Sequence, residues 1–63
     1  MKLNLYISVI REDEIVHIID GDKTMHYGTI RSAICELPDD YLNTAKVIDV
    51  FHGFGGLVIE AVI

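Results

Sequence analysis

Residues 45–63 run Ala45-Lys46-Val47-Ile48-Asp49-Val50-Phe51-His52-Gly53-Phe54-Gly55-Gly56-Leu57-Val58-Ile59-Glu60-Ala61-Val62-Ile63. They read as two apolar strands joined by His52-Gly53-Phe54-Gly55-Gly56, whose glycines supply the positive φ a tight turn needs. If the loop closes symmetrically, Phe51 faces Val58, Asp49 faces Glu60, Val50 faces Ile59 and Ile48 faces Ala61. Side chains alternate along a strand, so Ile48, Val50, Leu57, Ile59 and Ala61 form one apolar face. The other face carries Val47, Phe51, Val58 and Val62, interrupted by Asp49 and Glu60. A sheet lying on water alternates apolar with polar, and this hairpin is apolar on both sides. Its second face therefore calls for a cover.

Working outward, Leu3, Leu5, Ile7 and Val9 alternate with Asn4, Tyr6 and Ser8, the signature of a half-buried strand. The charged run Arg11-Glu12-Asp13-Glu14 turns the chain. Ile15 to Ile19 supplies a second strand that ends at the turn signal Asp20-Gly21-Asp22. Residues 23–27 fit either a short strand or a lead into a helix, and the sequence leaves both open. Thr29 is a natural N-cap, and Ile30, Ala33, Ile34 and Leu37 then fall on one helical face. Pro38 ends that helix and opens a short helical turn to Leu42. The expected fold is one compact α+β domain over residues 1–63. It is a small antiparallel sheet of about four strands, in chain order ββαββ, with one helix packed on one face.

At 63 residues the domain lies near the lower limit for unaided folding. Burial yields on the order of 90 kcal/mol, and ordering the chain costs a similar amount at about 1.5 kcal/mol per residue. No disulfide tips the balance, because Cys35 is the only cysteine. Self-association or a partner would. The run between Asp49 and Glu60 is far shorter than the roughly 20 apolar residues of a membrane span, and Met1 to Ile10 lacks a cleavage site, which predicts a cytoplasmic protein without a membrane partner.

The net charge of −5 is the wrong sign for attraction to phosphate, so no direct nucleic-acid binding is expected. The acidic residues gather at turns, where they solubilise the chain or meet a basic partner, a protein that itself binds nucleic acid being one class that fits. His17, His26, His52 and Cys35 are zinc-ligand types, but their separations match no short ligand pair, and no metal or cofactor is expected. Cys35 reads as a small residue bordering the helix stripe, since nothing identifies a base and an oxyanion site beside it. Gly53-Phe54-Gly55-Gly56 leads into a strand, whereas phosphate loops lead into a helix.

In size, acidity and single-domain build the chain looks like the small inhibitor or accessory proteins, anti-defence proteins among them, that phages and mobile elements carry. The likeness is compositional and carries over no residue. The reading is a non-enzymatic protein that binds and regulates or inhibits a macromolecular partner; the alternative is a self-assembling homodimeric accessory protein. The expected contact residues are Val47, Phe51, Phe54, Val58 and Val62, with Glu12, Asp13 and Glu14 as an acidic surface. An enzyme or small-ligand binder using the histidines ranks third, since one layer of helix on sheet rarely supplies a concave pocket.

Overall fold

The chain forms a helix where the N-terminal alternation predicts a strand. The computed structural model describes residues 1–63. It runs α1 (Leu3–Ile7), β1 (Ile15–Asp20), β2 (Lys23–Thr29), α2 (Ile30–Glu36), α3 (Asp39–Thr44), β3 (Lys46–Gly53) and β4 (Gly56–Val62). Leu3 and Ile7 have the same parity, as a strand demands, but they also stand one helical turn apart, and both are buried while Leu5 and Val9 point outward. The tie that selects the helix is distant in sequence. Leu3 N–H donates to Ala45 C=O at 2.8 Å and Val47 N–H to Met1 C=O at 2.8 Å, so Met1-Lys2 extends the sheet and the chain must then turn. Asn4 Nδ2 donates to Asn43 Oδ1 at 2.9 Å, fixing α1 against α3.

The four strands form a mixed sheet in the order β2-β1-β4-β3. The two hairpins are antiparallel, as expected, but β1 and β4 are parallel partners, which corrects the all-antiparallel, one-helix ββαββ expectation. The order follows polarity. Ile15-Val16-His17-Ile18-Ile19 and Leu57-Val58-Ile59 are the most apolar strands and take the centre, while the lysine-bearing β2 and β3 take the edges. Val16, Ile18, Ile59 and Ala61 project to one face, where α1 supplies Leu3 and Ile7, α2 supplies Ile30 and Ala33, and α3 supplies Tyr41 and Leu42. Thr29 caps α2 as predicted, its Oγ1 accepting from Ser32 N–H at 3.2 Å, whereas Ile34 lies outside the buried stripe.

Residues 23–29, left open by the sequence, are strand β2. Gly21, at φ 60°, opens a two-residue turn with Asp22, and an irregularity beyond Ile19 then pairs Ile18 with His26 and His17 with Tyr27. In the second hairpin Phe51↔Val58, Val50↔Ile59 and Asp49↔Glu60 pair as expected. A bulge between Val47 and Asp49 then brings Val47, in place of Ile48, opposite Ala61. Val47 packs against the core as a result, and Ile48 is 58% exposed. No helix is long and apolar enough to cross a membrane.

Candidate interaction surface

The three helices share one face of the sheet, and the opposite face carries two rows of side chains. Strand pairing gives them directly: Tyr27–His17–Val58–Phe51, and beside it Thr24–Ile19–Glu60–Asp49. The hairpin tip adds to the first row. Phe54 meets His17 edge-on, with centroids 5.1 Å apart, and His17 stacks on Tyr27 at 5.3 Å. Tyr27 O–H donates to the Phe54 carbonyl at 3.0 Å, clamping the tip onto the sheet. Val58, flanked by His17 and Phe51, is fully buried by its own chain, while Phe51 and Phe54 remain 44% and 69% exposed.

Of the expected contact residues, Phe51, Phe54 and Val62 thus stay accessible, and Val47 and Val58 do not. The bulge turns Val47 to the core, and the aromatic neighbours close over Val58. Glu12, Asp13 and Glu14 are exposed but lie apart from this face. Glu12 accepts from Arg31 Nη2 at 2.6 Å, and this bond, with the charge behind it, strengthens the guanidinium's hold on its proton. Asp13 pairs with Arg11 at 3.2 Å. Two of the three acids therefore already hold a cation from their own chain. With Thr29 and Arg31, Glu12 and Asp13 line a depression of about 210 Å³ that no hydrophobic residue enters. Small-ligand pockets are typically about 300–1,000 Å³ and mostly apolar.

Three unfavourable features meet on the open face. Phe54 has φ 53° and Gly55 φ 79°, a type I′ turn whose first position suits Asn or Gly and strains a bulky residue. The His17 Nε2 lies 3.0 Å from Thr24 Oγ1, but Nδ1 is buried with no hydrogen-bond partner. Asp49 and Glu60 are directly opposed like charges. No lysine or arginine of the chain pairs with either.

The sequence did not flag the contact among Ser32, His26 and Glu36. His26, buried under α2, has Nε2 2.9 Å from Ser32 Oγ and Nδ1 3.7 Å from Glu36 Oε1. Ser32 and Glu36 stand one helical turn apart, a spacing visible in the sequence, but only the β2 register brings His26 beneath them. Ser32 O–H donates to Thr29 C=O at 2.8 Å, and the first N–H groups of α2 bond to Glu14 C=O, Glu12 C=O and Thr29 Oγ1. The donors an oxyanion would need are occupied, and the trio works as a strut between β2 and α2. Of the expected zinc-type residues, His17 and His26 occupy opposite faces of the sheet, and His52 and Cys35 are exposed elsewhere.

Comparison with family models, curated proteins and solved structures yields no match.

Proposed function

We propose that this chain is a small acidic interaction protein, non-enzymatic and cytoplasmic, that binds a macromolecular partner through the open sheet face and regulates or inhibits it. The observation that supports the reading is the coincidence on that face of exposed aromatic rings with a strained turn, an unpartnered imidazole nitrogen and an opposed carboxylate pair. A surface shaped only for stability loses such features readily, and departures of this kind gather at functional sites. Exposed aromatics in a defined cluster are the anchors that dominate protein–protein contacts. The edge of β3 is the poorer docking route. Its Val47 N–H is taken by Met1, and its Val50 N–H by the Asp49 carboxylate at 2.9 Å.

A second reading, an isologous homodimer on the same face, draws on Phe51 and Val62, both more than 40% exposed along one side. Sedimentation at micromolar concentration separates the two: a lone monomer removes the dimer, and a tight dimer favours it. For the leading reading, Phe51→Asp should leave a folded monomer that no longer retains the partner captured from a lysate by the unaltered protein. Undiminished capture of that partner by the variant would reject the face as the contact.

A further inference from the structure

We infer that the β3–β4 tip is a two-state latch, closed by the Tyr27 hydroxyl, and that its closed state is the one a partner meets. The last step rests on the function proposed above, whereas the latch is a property of the free chain. Gly56 lies so close to the Ile15 carbonyl that a Cβ would overlap it, which fixes the start of β4 against β1. Gly53 pairs with Gly56, so Phe54 and Gly55 alone project beyond the last rung of the hairpin. Tyr27 O–H reaches across β1 to the Phe54 carbonyl at 3.0 Å, and neither tip residue makes another hydrogen bond.

That bond reads the hand of the turn. Phe54 at φ 53° and Gly55 at φ 79° form a type I′ turn, which follows the twist of the flanking strands and strains phenylalanine. The mirror-image type I turn sets its first residue at about −60°, where phenylalanine is at ease, and its second at about −90°, which glycine adopts as readily as its present value. Reflection sends the Phe54 carbonyl to the opposite side of the turn, away from Tyr27, and takes the ring off His17, whose buried Nδ1 then meets water. The closed state gains one hydrogen bond, one edge-on ring contact and the matched twist. The open state gains a relaxed φ and a hydrated imidazole nitrogen. Each is a single interaction of ordinary size, so the two states lie within about tenfold of each other. Tyr27 therefore decides which of them prevails, and a partner that needs Phe54 held beside His17 binds in proportion to the closed share.

The test uses the full chain in solution, read by NMR. Tyr27→Phe removes the donor and keeps the ring that stacks on His17, and at a 59% exposed position it leaves folding intact. Two signals report the tip: the Overhauser effect between the amide and Hα protons of residue 54, strong only at positive φ, and that between the Phe54 and His17 rings. The expected result is a shift of about fivefold toward the open state, seen as both signals weakening together while the β1–β2 and β1–β4 cross-strand contacts persist. Phe54→Asn supplies the control, because asparagine is at ease at positive φ, and in its background Tyr27→Phe should leave residue 54 in the type I′ turn. Undiminished signals in Tyr27→Phe alone would overturn the latch, since the bond would hold nothing that the turn does not hold already. An equal loss of positive φ in the asparagine background would also overturn it, because the strain of phenylalanine would have no part. Capture of the natural partner is a separate readout, expected to weaken by up to about fivefold in Tyr27→Phe. An opened tip with undiminished capture leaves the latch standing and sinks the open face as the contact. A tip still closed with weakened capture sinks the latch and spares the face.

Discussion

Replacing Phe54 by asparagine separates a ring kept for contact from a ring kept for stability. At φ 53° the phenylalanine sits where a bulky residue costs about 1–2 kcal/mol, and asparagine is favoured at that position of a type I′ turn. Truncation also frees the buried His17 Nδ1 to meet water, worth about 1 kcal/mol. Against this, the ring is 69% exposed, so the substitution forfeits only about 60 Å² of covered apolar surface, or about 1.5 kcal/mol. The edge-on contact with His17 adds about 1 kcal/mol to the loss. The Tyr27 hydrogen bond survives, because its acceptor is the backbone carbonyl of residue 54. The opposing effects nearly cancel, and Phe54→Asn should change stability by less than about 1 kcal/mol, or roughly 5 °C in Tm for a domain of this size. Circular dichroism melts and urea titrations measure that, and partner capture measures the other half: loss of an aromatic anchor weakens binding by about 2 kcal/mol or more. A destabilisation above about 3 kcal/mol, the range for truncating a core phenylalanine, would refute the reasoning by making the ring part of the structure. Unaltered stability with unaltered binding would leave the strained turn without a purpose.

The N-terminal helix is tested by a pair of variants: Leu3→Ala, at a fully buried position, should cost about 2–5 kcal/mol, and Leu5→Ala, at a 57% exposed one, under about 0.5 kcal/mol, whereas a strand would make the two costs equal in urea titrations. Gly56→Ala sets a Cβ against the Ile15 carbonyl in the parallel β1–β4 contact; the variant should lose cooperative unfolding by circular dichroism, and native stability would contradict that register. Tyr41 gives a pH signature. Burial, and then the charge and hydrogen bond of Asp20, push its phenol up to about 12 from 10.0, so the folded state holds the proton more tightly than the unfolded chain. Stability is therefore unaffected by this group below about pH 10 and falls as pH rises through about 12. Tm should therefore fall over that window and fall less in Tyr41→Phe; identical alkaline profiles would contradict the assignment.

What the sequence made legible was local. The capped helix at Thr29, the helical turn after Pro38 and the Phe51↔Val58 register each depend on residues a few positions apart, and each is present. The N-terminal segment misled because Leu3 and Ile7 satisfy both periods, and the bond that decides between them comes from Ala45. The parallel β1–β4 pairing joins segments some forty residues apart with no turn chemistry to announce it. The site was hidden by irregularities. Without the extra residue in β2, His17 would face His26, and Tyr27 would not reach the Phe54 carbonyl. Without the bulge at Ile48, Val47 would lie on the open face with Phe51, as the alternation predicts. Phe54 and Phe51 stood out as exposed aromatics at a glycine-rich tip, but the carboxylate pair drew notice only as an interruption of an apolar face.

Each side of the sheet leaves one buried polar atom without a partner, Asn4 Oδ1 beside the helices and His17 Nδ1 on the open face, but only the open face adds a strained turn and an opposed carboxylate pair. Under the helices, His26 Nε2 bonds with Ser32 Oγ while Nδ1 lies 3.7 Å from Glu36 Oε1, and Tyr41 O–H reaches Asp20. The unpartnered Asn4 Oδ1 belongs to an amide already anchored through Nδ2. On the open face His17 has one nitrogen without a partner, beneath a ring held in a strained conformation and one row from two carboxylates that repel. Each of these costs is removable by a single conservative change that leaves the core untouched: Phe54→Asn for the turn, Glu60→Gln for the repulsion. A marginal domain of 63 residues gains from every such change unless the strained arrangement is what the partner recognises. The expected consequence is an inverse relation on this face alone, in which variants that raise Tm lower affinity, while core variants such as Leu3→Ala lower Tm and leave the affinity of the folded fraction intact. If Glu60→Gln melted no higher than the unaltered chain, the carboxylate pair would carry no cost, and the open face would lose one of the three features that set it apart.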